Sequence, residues 1–133
     1  GLLPGALLTN KYLNFICKNV FVKLNENESK YFKKIKKNIL ELHIAHNDGN
    51  YFCTDDELKS LDDNNQIAVK YCSKNGDVSE NFNPNGSIKN IAGIFNKNKN
   101  ILGMMPHPER VIDRSLSSED GTFFFKNLIE NLR

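Results

Sequence analysis

The run Ile101-Leu102-Gly103-Met104-Met105 closes on Pro106-His107-Pro108-Glu109-Arg110, and this junction constrains the fold more than any other stretch of the chain. Five apolar residues bounded by turn residues are too short for a helix. They read as a buried strand of the kind found in sheets covered on both faces. Pro106 and Pro108 fix their own φ and bias the residues before them toward extended backbone. In an extended chain, residues i and i+2 project to one side, so His107 and Glu109 are expected as neighbours on one face of a stiff strand end. A carboxylate so placed orients an imidazole, and an oriented imidazole takes a proton from a nucleophile. Taken alone, the five residues also suit a rigid surface connection. The apolar strand before them favours the catalytic reading, because open α/β sheets place their sites at the carboxyl ends of strands.

The rest of the chain is dominated by strands. Phe15–Leu24 reads as one, with Val20, Val22 and Leu24 alternating, and Ile39–Ala45 as a second. The segment His46-Asn47-Asp48-Gly49-Asn50 is strong turn chemistry, after which Tyr51 and Phe52 resume an extended course. Ile67–Cys72 is expected to present Ile67, Val69 and Tyr71 on one face. Ile88–Phe95 and Ile101–Met105 are expected as a hairpin around Asn96–Asn100. Thr54-Asp55-Asp56-Glu57 is a capping box that opens a helix over about 55–62, with Leu58 and Leu61 inward. Ser117 or Ser118 caps a closing helix over about 119–131, in which Phe124, Leu128 and Leu132 recur beside Phe125 and Ile129. Asn81–Ser87 reads as an ordered loop. Strands in the middle with helices implied at both ends predict an unbalanced half of an α/β sheet. Gly1-Leu2-Leu3-Pro4-Gly5 reads as the end of a helix, so residue 1 is not expected to be the natural start of the fold.

Composition excludes several classes. The 133 residues suffice for one domain, and 39% hydrophobic with 26% charged residues is a globular composition. No apolar run approaches the roughly 20 residues of a membrane span, and the apolar start lacks the basic flank of a signal peptide. A net charge of +2 does not suit a nucleic-acid partner. Lys30, Lys33, Lys34, Lys36 and Lys37 read as a solvated connection over 25–38 rather than an RNA or phosphate patch. The 20 asparagines and the scattered lysines read as surface filler. Cys17, Cys53 and Cys72 form no disulfide framework, which suits a reducing cytoplasmic setting. His43, His46, Cys53 and Cys72 match no zinc spacing, and no metal is expected. There is no Gly-rich phosphate loop.

Several segments together resemble a known family: Gly1–Leu7, Phe15-Ile16-Cys17, Ile44-Ala45-His46 with Gly49 and Tyr51, Asn83-Pro84-Asn85-Gly86-Ser87, Asn90–Ile94, Leu102–Arg110 and Ser118–Gly121. The chain is similar, almost end to end, to the C-terminal part of the glutamine amidotransferase subunit of phosphoribosylformylglycinamidine synthase, a class I amidotransferase. The resemblance implies residues 1–133 as the C-terminal part of one three-layer α/β domain with a mixed central sheet. It implies a Cys-His-Glu triad in which His107 and Glu109 are the histidine and glutamate. The family's cysteine sits on a sharp strand-to-helix turn that is expected upstream of Gly1. Residues 1–133 alone are therefore expected to be inactive. Cys17 matches a strand position and is expected as a small buried hydrophobe rather than the nucleophile. The Ala45–Gly49 turn resembles the segment that holds glutamine, which makes His46, Asn47 and Gly49 candidate substrate contacts. Asn47 stands where the family usually has glycine, and Asn is the side chain that best tolerates positive φ. The implied partners are the large synthetase subunit, which uses ATP and magnesium, and a small accessory subunit. The implied role is the supply of ammonia for de novo purine biosynthesis, with no cofactor in this chain. Another class I amidotransferase, or a non-catalytic glutaminase-like interaction module, stays open at this point.

Overall fold

The computed structural model describes residues 1–25, 31–32, 35–115 and 117–131. Lys30, Lys33, Lys34 and Leu132 lie outside them. Among the described residues, seven strands and two α-helices follow in the order β1 (Ala6–Leu8), β2 (Ile16–Leu24), β3 (Ile39–His46), β4 (Asn50–Phe52), α1 (Asp55–Asp63), β5 (Ile67–Cys72), β6 (Ile91–Phe95), β7 (Leu102–Met104) and α2 (Thr122–Asn131). Five strands form one sheet in the order β3-β2-β5-β6-β7, and β1 pairs with β4 in a separate two-stranded ribbon. Every described pairing is antiparallel. The curled sheet with its helices is an α/β frame of the expected class.

Alternation decides which face of the longest pair is buried. Along β2, Val20, Val22 and Leu24 point inward; along β3, Leu40, Leu42 and Ile44 do so with no exposed surface. Each such aliphatic side chain contributes about 1.5–3 kcal/mol by leaving water. Phe32, Phe95 and Phe124 pack edge to face or tilted around this core, at ring separations of 5.3 and 5.7 Å. α1 begins as its capping box requires: Glu57 N–H donates to Thr54 Oγ1, and Thr54 N–H donates to Glu57 Oε2 at 2.8 Å.

Several local expectations give way to tertiary demands. The Ile67/Val69/Tyr71 face is broken by register irregularities against β6. Ile67 packs with Tyr51, Leu61 and Ile91, whereas Val69 and Tyr71 join the main core. Ile88–Asn90 is a 3-10 turn rather than strand, with Lys89 and Asn90 at φ of 51° and 59°. The turn swings the Asn90 amide inward, where it donates to Tyr71 O and Ser79 O. β7 lies at a sheet edge and is half-buried rather than buried. α2 starts at Thr122, and of its apolar residues Phe124 is buried while Phe125, Leu128 and Ile129 are exposed. The buried stripe runs instead through Gly121, Phe124 and Asn127. Cys17 is exposed, because it sits on the β2 face opposite Val20 and Val22. Asparagine is not merely filler: Asn10, Asn85, Asn90 and Asn127 are buried.

Candidate active site

His107 is placed by the middle of β3. Its N–H donates to His43 O at 2.7 Å, an isolated antiparallel bridge that stitches the segment after β7 to the opposite edge of the sheet. His107 itself is extended, at φ −101° and ψ 92°. The chain does not continue as a strand end, however. Pro108–Arg110 forms a single 3-10 turn with Pro108 at its start, where a missing N–H costs nothing. The turn, and not an extended i, i+2 projection, brings the Glu109 carboxylate to His107: Nδ1 and Oε1 are 2.8 Å apart. Burial pushes the Glu109 carboxyl up, but its own backbone, the His107 ring and Arg110 outweigh this and hold it below the usual carboxylate range. An ionised carboxylate only accepts hydrogen bonds, so the proton of a neutral His107 resides on Nδ1. Nε2 is left as the basic nitrogen, the arrangement a general base requires.

The segment behind this pair is tightly bound. Val111 is fully buried, and its carbonyl accepts from Gly121 N–H at 2.9 Å. Asp120, also buried, accepts from Glu41 N–H at 2.7 Å and from Lys37 Nζ at 2.6 Å. The loop before α2 is thereby tied to β3, the same strand that positions His107.

β3 also carries the second candidate element. His46 ends β3, roughly 10 Å along the strand from His43 at about 3.3 Å per residue. It opens the turn to Gly49. Asn10, with no exposed surface, organises this turn from a distance in sequence: its Nδ2 donates to His46 O at 2.8 Å, and its Oδ1 accepts from Gly49 N–H at 3.0 Å. Asn47 O accepts from Asn10 N–H at 2.8 Å. Neither Asn47 nor Gly49 has positive φ, so the turn does not draw on asparagine's tolerance of that region. Gly49 is needed for space, because a Cβ there would lie 2.3–2.5 Å from the His46 ring. Ser87 Oγ lies 3.0 Å from Gly49 O and accepts from Tyr51 N–H. Asn85, fully buried, donates to Tyr71 Oη at 3.0 Å and lies 3.4 Å from His46 Nε2.

Burial holds the His46 imidazole below the ordinary histidine range, and His107 adds to this against the opposing pull of its own backbone and of Asp48. A neutral His46 in the fold gives a stability term present above the unfolded value of about 6.5, and lost as pH falls below it and the unfolded chain takes up the proton first. In an NMR titration, the His46 ring signals are expected to move at lower pH than those of a free imidazole. A midpoint at or above the free value would contradict the burial argument.

The structure therefore brings His107 and Glu109 into contact and sets the His46, Asn47 and Gly49 turn at the end of the same strand. Sequence reasoning missed Asn10, Ser87 as a turn anchor, and Gly121. The Asn83–Ser87 motif signalled an ordered loop, and the Ser118–Gly121 match signalled a special segment. Nothing local marks Asn10.

The α/β frame, which carries a His–Glu pair after its edge strand, matches a class I glutamine amidotransferase-like fold. The chain belongs to the CobB/CobQ-like glutamine amidotransferase domain family, whose model matches residues 4–122. Among its relatives, the phosphoribosylformylglycinamidine synthase subunit PurQ of Pelagibacter ubique (strain HTCC1062) is 67% identical over 133 residues, covering 100% of this chain and 59% of that protein. The PurQ of Aquifex aeolicus (strain VF5) is 44% identical over 132 residues, covering 98% and 58%. A chain of the solved structure of PurLQS from Thermotoga maritima superposes with a TM-score of 0.80 at 32% identity, covering 100% of this chain and 55% of that one. The chain thus spans less than two thirds of the length of these relatives. Among the described residues, no helix is long and apolar enough to cross a membrane.

Proposed function

We propose that this chain is the histidine- and glutamate-bearing part of a glutaminase subunit, which hydrolyses glutamine and delivers ammonia to phosphoribosylformylglycinamidine synthase. The observation that carries the reading is the 2.8 Å contact between His107 Nδ1 and Glu109 Oε1, in a chain 67% identical to a PurQ. In this reading a cysteine thiolate outside residues 1–133 attacks the side-chain amide of glutamine. His107 passes the thiol proton to the departing ammonia, and Glu109 holds the imidazole in the useful tautomer. Water then resolves the γ-glutamyl thioester to glutamate. The cysteines within the chain do not suit the role: Cys53 and Cys72 are buried, and the Cys17 thiol is paired with His43 rather than with His107. The backbone of the His46–Gly49 turn holds the substrate, with His46, Asn47 and Gly49 as its contacts.

The ammonia passes to a large synthetase subunit assisted by a small accessory subunit. ATP and magnesium act there, and this chain needs no cofactor of its own. The test combines the full-length gene product with the synthetase, accessory subunit, ATP, magnesium, formylglycinamide ribonucleotide and glutamine. Glutamate and ADP are expected to form together, and residues 1–133 alone to release no glutamate. Synthesis driven by ammonia but never by glutamine would remove the glutaminase assignment. His107-dependent hydrolysis by residues 1–133 alone would show that the nucleophile lies within them.

A further inference from the structure

The face of β2 and β3 that turns away from the core carries a chain of polar groups that the triad does not use. Asn19 stands opposite His43 in the β2–β3 register, and Cys17 stands diagonally from His43 on the same face. The His43 ring joins them: its Nδ1 lies 2.9 Å from Asn19 Oδ1, and its Nε2 lies 3.4 Å from Cys17 Sγ.

Each group's orientation follows from its partners. Asn19 Nδ2 faces Glu41 Oε1 at 3.2 Å and Ser117 Oγ at 2.6 Å. A carboxylate oxygen accepts, so the amide nitrogen must be the atom that points toward Glu41. The amide oxygen therefore points toward His43. Because an amide oxygen donates nothing, the His43 Nδ1 must carry the proton. The neutral ring then presents the lone pair of Nε2 to the Cys17 thiol. Nucleophile, base and orienting group stand in the order that activated thiols use on unrelated folds. Cys17 is exposed and lies on the wall of an open cleft of about 980 Å³.

We infer that Cys17, His43 and Asn19 form a base-assisted nucleophilic site, at which Cys17 is alkylated by soft carbon electrophiles. As the bond between Cys17 Sγ and the electrophilic carbon forms, the thiol proton moves to His43 Nε2, and the bond from carbon to its leaving group breaks. With iodoacetamide the leaving group is iodide, which departs with its electron pair. Attack at a saturated carbon develops no oxyanion, so the site needs no further donors.

The chain supplies its own controls. Cys53 and Cys72 are buried, and burial raises both thiols, Cys72 to about 11. The test treats the full-length gene product with limiting iodoacetamide and follows each cysteine by peptide mass mapping. Cys17 is expected to react at least about tenfold faster than Cys53 and Cys72, and about tenfold faster in the folded protein than in the urea-unfolded one. His43→Gln is expected to slow Cys17 about tenfold in a protein with an unchanged unfolding transition, and Asn19→Ala to slow it less. If Cys17 reacts no faster folded than unfolded, its reactivity is accessibility alone and the site is refuted, a comparison that needs no variant. A Cys17 rate unchanged by His43→Gln in a folded protein would refute it equally. The Cys17 site rests on side-chain geometry alone, so failure of the glutaminase reading leaves it untouched.

Discussion

Replacing His107 with asparagine in the full-length protein should lower glutamine hydrolysis by about 10³-fold, within the range typical of a lost general acid–base. Ammonia-driven synthesis in the reconstituted complex should survive, because in the proposed mechanism the histidine acts only on the amide of glutamine. The tautomer of His107 decides the loss of hydrolysis. Glu109 accepts from Nδ1, so Nε2 alone is left to take and return a proton. Glu109→Gln tests that step. A glutamine amide is free to turn its NH2 toward Nδ1 and stabilise the other tautomer, which removes the base without removing the ring. A loss of about 10²-fold or more is expected, smaller than that of His107→Asn. Both are read as kcat of glutaminase in protein whose circular dichroism matches the parent. Full activity in folded His107→Asn would place the base elsewhere.

Gly121→Ala should be strongly destabilising, because no other glycine in the chain brings a new Cβ so close to backbone. A Cβ at this position would lie 1.9 Å from Pro108 O, 2.7 Å from Pro108 C and 2.9 Å from Val111 O. All three are backbone atoms of the turn that carries Glu109 or of the residue that anchors it, so none yields cheaply. Forced overpacking of this kind costs about 3 kcal/mol. The expected readings are a melting temperature lower by about 10 °C and a fall in glutaminase kcat. Gly103→Ala is the contrast. Its Cβ would approach Leu3 Cδ1 at 2.4 Å, but this is the far end of a flexible side chain that can swing away. Its cost is expected to stay under about 1 kcal/mol. If the two variants melt alike, the close approach of Gly121 to the Pro108 turn is not what holds the His–Glu segment.

What the amino-acid order determined by itself is whatever depends on neighbours a few residues apart. Period-two alternation over Val20–Leu24 and Leu40–Ile44 is enough to name two strands and their buried faces. The Thr54–Glu57 capping box acts within one helical turn, and it sets the start of α1. The i, i+2 spacing of His107 and Glu109 announced their contact, although the backbone achieves it by a 3-10 turn that Pro108 opens. The contacts left to the tertiary structure join residues distant along the chain. β1, only three residues long, exists because β4 pairs with it. Asn10 organises a turn 36–39 residues away, and nothing near Asn10 distinguishes it from the other asparagines. Lys37 and Glu41 hold Asp120 from about 80 residues upstream. Cys17 and His43, unremarkable where they stand in sequence, become partners only through the register of β2 on β3. The physical reason is common to these cases: a buried polar group or a strand edge must find a partner wherever the fold supplies one. Local propensity carries no record of which partner that will be.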